Sequence, residues 1–126
     1  LASLALLHDA VVTVASDANG VREIPIAEFP VAYMTPSIAP DEMVTEVRFA
    51  LPAPGHGWGF HEFAQRHGDF ALAGAAALVE MTEGRVARAA ISIFGGGMSP
   101  VRVAGAENLL AGQVPSDDAL RTAAAM

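Results

Sequence analysis

Four histidines, His8, His56, His61 and His67, and an Arg66/Asp69 pair are the side chains whose types could support chemistry. His61, Glu62, His67 and Asp69 lie close together and invite a metal reading. Their spacing opposes it. No His-x-His or Glu-x-x-His pattern falls on one element, and a strand through 58–66 turns His61 and Glu62 to opposite faces. Gly95-Gly96-Gly97 could cradle an anion with backbone N–H groups ahead of a helix. No lysine follows, as a Walker-type loop would need, so the run reads as a turn that excludes side chains. Arg66 and Asp69 flank His67-Gly68 and are expected to pair and fix a bend, with Gly68 supplying the backbone freedom. No Ser/His/Asp set or carboxylate pair is complete. The residues alone describe a module without autonomous catalysis, and no metal site is expected.

The elements that must position these residues centre on the stretch from Trp58 to Pro100. Trp58 to Arg66 alternates, with Phe60, Glu62 and Ala64 on one side and His61, Phe63 and Gln65 on the other. Phe70 to Met81 is a near-continuous apolar run. It ends at Thr82-Glu83-Gly84-Arg85, a short polar loop, and Val86 to Phe94 returns with Ile91 and Ile93 on one face. This predicts a hairpin with a third strand beside it. Propensity alone would make the alanine-rich segment 71–77 a helix; the turn and the flanking glycines argue for a strand.

Upstream, Leu1 to His8 reads as the end of a helix and Val11 to Ser16 as a strand. Asp17-Ala18-Asn19-Gly20 is a turn, and Val21 to Ile26 returns as a strand that Pro25 places at an edge. Ala27 to Pro40 is expected to be an irregular connector with one short helical turn, and Met43 to Leu51 a further strand. Pro52 to Gly57 is a break, read as a boundary. Downstream, Ser99 as N-cap and Pro100 at the first helical position predict a helix over Val101 to Ala111, stopped by Gly112. Ser116-Asp117-Asp118 caps a second helix from Ala119 onward. The expected fold class is α+β: a three-stranded antiparallel sheet with C-terminal helices, preceded by a small β-hairpin segment.

Composition narrows the function classes. A chain of 126 residues that is 52% hydrophobic can bury a core, and its 17% charged content is low enough that partners are expected to cover part of its surface. The net charge of −7, with no basic cluster, argues against a nucleic-acid partner. The absence of cysteine rules out disulfides, zinc thiolates or an iron–sulfur cluster held by this chain alone, and fits a cytoplasmic location. No run is long enough for a membrane helix, so membrane insertion is not expected. The first residue is not Met, and the chain ends on Ala123-Ala124-Ala125-Met126 without a helix stop, so a fragment is expected.

Several motifs, in order, resemble one family. Arg66-His67-Gly68-Asp69-Phe70-Ala71 is similar to the Arg-x-x-Asp-(apolar)-Ala corner in the flavoprotein subunit of molybdenum hydroxylases, the group of aerobic carbon monoxide dehydrogenase and xanthine dehydrogenase. Tyr33 followed by the run from Ile38 to Val47 resembles its Tyr…Pro-Asp-Glu-(apolar)-(apolar)-Thr-Glu-Val segment. Gly95-Gly96 with Ser99-Pro100-Val101-Arg102 resembles its Gly-x-x-x-x-Pro-x-Arg turn, and Ala106 to Gly112 its Ala-Glu-x-x-Leu-x-Gly helix. The resemblance implies FAD as cofactor and electron transfer as the role. Electrons would pass from a molybdenum-containing large subunit, through the [2Fe–2S] clusters of a small iron–sulfur subunit, to the flavin and on to an external acceptor. It implies that residues 1–50 end the FAD-binding domain, that 55–126 form most of a C-terminal domain, and that the two main Gly-rich flavin loops lie outside this chain. The corner from Arg66 would lie near the isoalloxazine ring, with Asp69 and Phe70 in contact. Tyr33 is a further candidate, beside a Met34 that replaces a common basic residue. Two other readings compete: an interaction or scaffold domain that has lost the flavin half, and a histidine-based metal hydrolase.

Overall fold

The computed structural model describes residues 1–126. A short helix, α1 (Ala2–Leu7), leads into β1 (Val11–Ser16), which pairs antiparallel with β2 (Gly20–Pro25) and, on its other side, with β5 (Met43–Arg48). Pro25 sits on an edge strand as its missing N–H demands. Of the turn residues only Gly20 is left-handed (φ +70°), while the Ser16 hydroxyl accepts the Asn19 N–H. Between β2 and β5 lie a 3-10 turn (Ile26–Glu28) and a ribbon of β3 (Pro30–Ala32) and β4 (Thr35–Pro36). The expected connector is therefore partly paired. Glu42 closes it: Arg22 donates two hydrogen bonds to its carboxylate, at 2.6 and 2.7 Å, and the Ala39 N–H a third. Arg22 first, then the Ala39 amide, pulls the Glu42 carboxyl down to about 2.

The second sheet is antiparallel in the order β6 (Gly57–Ala64), β7 (Ala71–Thr82), β8 (Arg85–Phe94), β9 (Val101–Arg102). The alanine run is a strand, as its turn required: Glu83 and Gly84 both have positive φ, the signature of a type I′ hairpin. Gly74 interrupts that run for a packing reason. A Cβ there would run into the Phe94 ring.

The helix expected from Val101 starts later. Val101 and Arg102 pair with Ile93 and Ser92, and the Val103 N–H donates to the Ile91 carbonyl at 2.9 Å. The strand takes the backbone groups that a Ser99-capped helix would have used, so α2 runs only over Ala104–Leu110 with no side-chain cap. Its apolar face buries Ala106 and Leu110, with Val103 and Leu109 packed beside them. Helix α3 (Asp117–Ala124) has the expected cap: the Ser116 hydroxyl accepts the Ala119 N–H.

Three apolar clusters form the core. Ala5, Leu6, Ala10, Val12, Val14, Ile24 and Ile26 pack under the first sheet, and Val86, Ala89, Ala106, Leu110 and Ala123 between the second sheet and α2/α3. Leu7, Ala76, Leu78 and Ala90 form the third. Helix α1 thus belongs to both halves, Leu6 facing one core and Leu7 another. No helix is long and apolar enough to cross a membrane.

Candidate functional site

Strand β6 ends at Ala64 and the chain turns through Gly68 (φ +93°) into β7. The expected Arg66–Asp69 ion pair does not form. The Asp69 backbone N–H instead donates to the Arg66 carbonyl at 3.1 Å, so the main chain closes the corner and both side chains stay exposed. Phe70 projects almost wholly into solvent. Tyr33 stands in the turn between β3 and β4, ahead of a left-handed Met34 (φ +50°), and its carbonyl accepts the Thr35 hydroxyl.

Although distant in sequence, Tyr33, Asp69 and Phe70 line one open cleft of about 700 Å³; Arg66 does not. Leu1 and, from α1, Ser3 and Leu4 also line it, as do Gly95 and Gly97 to Pro100 of the turn after β8. Phe60, Glu62, Ala71 and Phe94 also line it; the Phe60 and Phe94 rings stack at 5.5 Å with 21° between planes. Sequence reasoning did not name Phe60 or Phe94 as site residues, and raised Glu62 only in the metal reading that its spacing opposed. The alternation of β6 had put Phe60 and Glu62 on one face, and Gly74, registered between Glu62 and Phe94, marks where that aromatic ring lies. Gly95 is also explained. A Cβ on it would sit 2.7 Å from the Leu72 carbonyl oxygen, so the glycine run serves a close backbone crossing, and β9 rather than a helix follows.

The histidines are not gathered. Nδ1 of His8 lies 2.9 Å from the Ala50 carbonyl and Nδ1 of His56 2.9 Å from that of Ala53. No group of three or more His, Asp or Glu is placed to hold a metal ion. His8 and His56 instead border a second hollow of about 510 Å³, mainly apolar, with Leu4, Leu7, Trp58 and Phe60.

The cleft therefore offers aromatic faces and two carboxylates that accept hydrogen bonds. A flat heteroaromatic ring with N–H groups at its edge fits that lining. A pyrophosphate does not, because no lysine or arginine lines it. The fold and cleft define an α+β module with an open, aromatic-lined cleft that carries two carboxylates and no basic side chain.

Residues 58–126 match the family of the CO dehydrogenase flavoprotein C-terminal domain, and the chain belongs to it. It is 42% identical over 106 residues to the 6-hydroxypseudooxynicotine dehydrogenase complex subunit alpha of Paenarthrobacter nicotinovorans, covering 83% of this chain and 36% of that protein. Among solved structures it superimposes on carbon monoxide dehydrogenase from Hydrogenophaga pseudoflava with a TM-score of 0.92 at 25% identity, covering 98% of this chain and 43% of the other. Quinoline 2-oxidoreductase from Pseudomonas putida 86 matches with a TM-score of 0.85 at 30% identity, over 98% and 42%. The chain spans about a third of the length of the curated relative it matches.

Proposed function

We propose that this chain is the C-terminal part of the FAD-carrying subunit of a molybdenum hydroxylase. In that reading electrons pass from a molybdenum large subunit through the [2Fe–2S] clusters of a small subunit to FAD and then to an external acceptor. Residues 1–50 end the FAD-binding domain and 55–126 form its C-terminal companion. The observation that carries the reading is the convergence of Tyr33, Asp69 and Phe70 on one aromatic cleft in a chain of this family.

The residues present would divide the work. Phe70 and Tyr33 cover a ring face and exclude water. Asp69 and Glu62 accept hydrogen bonds from its edge and, as carboxylates, disfavour added negative charge beside them. Arg66 acts through its backbone carbonyl, which holds the Asp69 amide and so the corner. The flavin, when bound, supplies the electron-accepting chemistry; this chain orients and shields it.

The test is the visible absorption of the full-length polypeptide, purified natively. Flavin bands that stay with the protein through gel filtration support the reading. Phe70→Ala should then weaken FAD binding by about tenfold without affecting folding, because that ring is almost fully exposed. A protein that stays colourless after incubation with FAD overturns the reading and leaves an interaction domain in its place.

A further inference from the structure

The junction between the two halves, where Leu7 packs on Ala76, Leu78 and Ala90, is also held by ions. Arg88 on β8 and Arg102 on β9 both reach Asp9, the left-handed residue (φ +44°) just past the His8 cap of α1. Arg102 Nη1 donates to the Asp9 carboxylate and to the Leu6 carbonyl, both at 2.8 Å. Arg88 Nη2 donates to the other Asp9 oxygen and, at 2.8 Å, to the Leu7 carbonyl. Two strands of the second sheet thus cap the C-terminal carbonyls of a helix from the first half, where cations are favoured.

Each arginine is itself held. Glu107 takes Arg102 through both carboxylate oxygens and also accepts the Ile91 N–H at 2.8 Å, while Glu80 accepts from Arg88 at 3.3 Å. Burial alone would raise the Asp9 carboxyl, but hydrogen bonds from Arg88 and Arg102 outweigh it and hold the group below its ordinary range. The helix fixed in this way carries Ser3 and Leu4, which line the same cleft as Tyr33, Asp69 and Phe70.

We infer that Arg88, Asp9 and Arg102 form a positioning clamp that registers α1 against the second sheet and so sets the width of the ring-binding cleft. None of the three lines the cleft, so they act through the helix and not by touching a ligand. The link to ring binding rests on the function proposed above, whereas the clamp itself does not.

The experiment compares full-length parent, Asp9→Asn, Arg88→Met, Arg102→Met and, as control, Arg48→Met, whose ion pairs to Glu23 and Glu46 lie wholly in the first half. Asp9→Asn is the conservative variant should an arginine change prevent folding. Two quantities are read: amide hydrogen exchange at residues 5–10, and FAD affinity by flavin fluorescence. The clamp variants should speed exchange there by about tenfold and weaken FAD by a similar factor, with Arg48→Met like the parent at both. Unchanged exchange in Asp9→Asn and Arg102→Met overturns the clamp. Faster exchange with unaltered FAD affinity overturns its control of the cleft. A parent that binds no FAD overturns the functional reading, while the exchange data still decide the clamp.

Discussion

Strands β6 and β8 belong to the same sheet, and both are rich in apolar side chains, yet they live in different surroundings. Val86, Ala89, Ala90 and Ser92 of β8 are buried under α1 and α2, and the first three belong to two of the three cores. On β6, Trp58 is 78% exposed, Phe63 66% and Phe60 49%, and no residue of the strand is buried. The aromatic residues, which bury the most area when covered, are the ones left open. Apolar character in this sheet therefore divides into two uses. Small and branched residues on β8 stabilise the module, and large flat ones on β6 and at Phe70 and Phe94 furnish surfaces. An exposed apolar face of this kind marks a place where something else packs.

The sharpest test of that division is Leu110→Ala. Leu110 is buried on α2 against β8, so truncation removes transfer energy and leaves a cavity, at a cost of about 3 kcal/mol. Equilibrium denaturation should show a lower midpoint at an unchanged slope. A cost near zero would mean that the β8 side is no better packed than the β6 side, and the contrast would break. Gly95→Ala comes next, at about 2 kcal/mol. It adds a Cβ against the Leu72 carbonyl and forces a non-glycine residue to φ +86°. The same denaturation measurement checks it, and loss of that part of the cleft lining should accompany it. Smallest is Trp58→Ser. If β6 serves as surface and not core, it should change stability of this module by less than about 0.5 kcal/mol, while removing the molecule's one tryptophan emission signal. A loss as large as that of Leu110→Ala would place Trp58 in the core.

Much of the architecture was legible because its signals are local. Gly84 after Glu83 demanded a tight hairpin and overrode the helical propensity of the alanine run, since a strand on one side of such a turn commits the other. Pro25 named its strand an edge, Gly68 named a corner, and Ser116 named a helix start; each acts through its own backbone or its nearest neighbours. Where the signal was local but the decision was not, the reading failed. Ser99-Pro100 is a sound helix start, yet Val101 to Val103 spend their backbone groups on β8, and the helix waits until Ala104. The Arg66–Asp69 pair was plausible from proximity, but the corner needed only its own peptide groups.

By itself the sequence determined the order and kind of the longer strands, the Glu83-Gly84 turn, the Ser116 cap and, through a set of spaced motifs, the family. These are matters of local conformational preference and of residues kept at fixed intervals. The tertiary structure decided what stands together. It brought Tyr33 and Phe70 to one cleft, stacked Phe60 on Phe94 over a glycine, and placed Asp9 between two arginines far along the chain. It also decided that β6 stays uncovered while β8 does not. Burial and contact depend on which strand lies at the edge and which helix crosses it, and those follow from long-range pairing, which no short stretch of residues encodes.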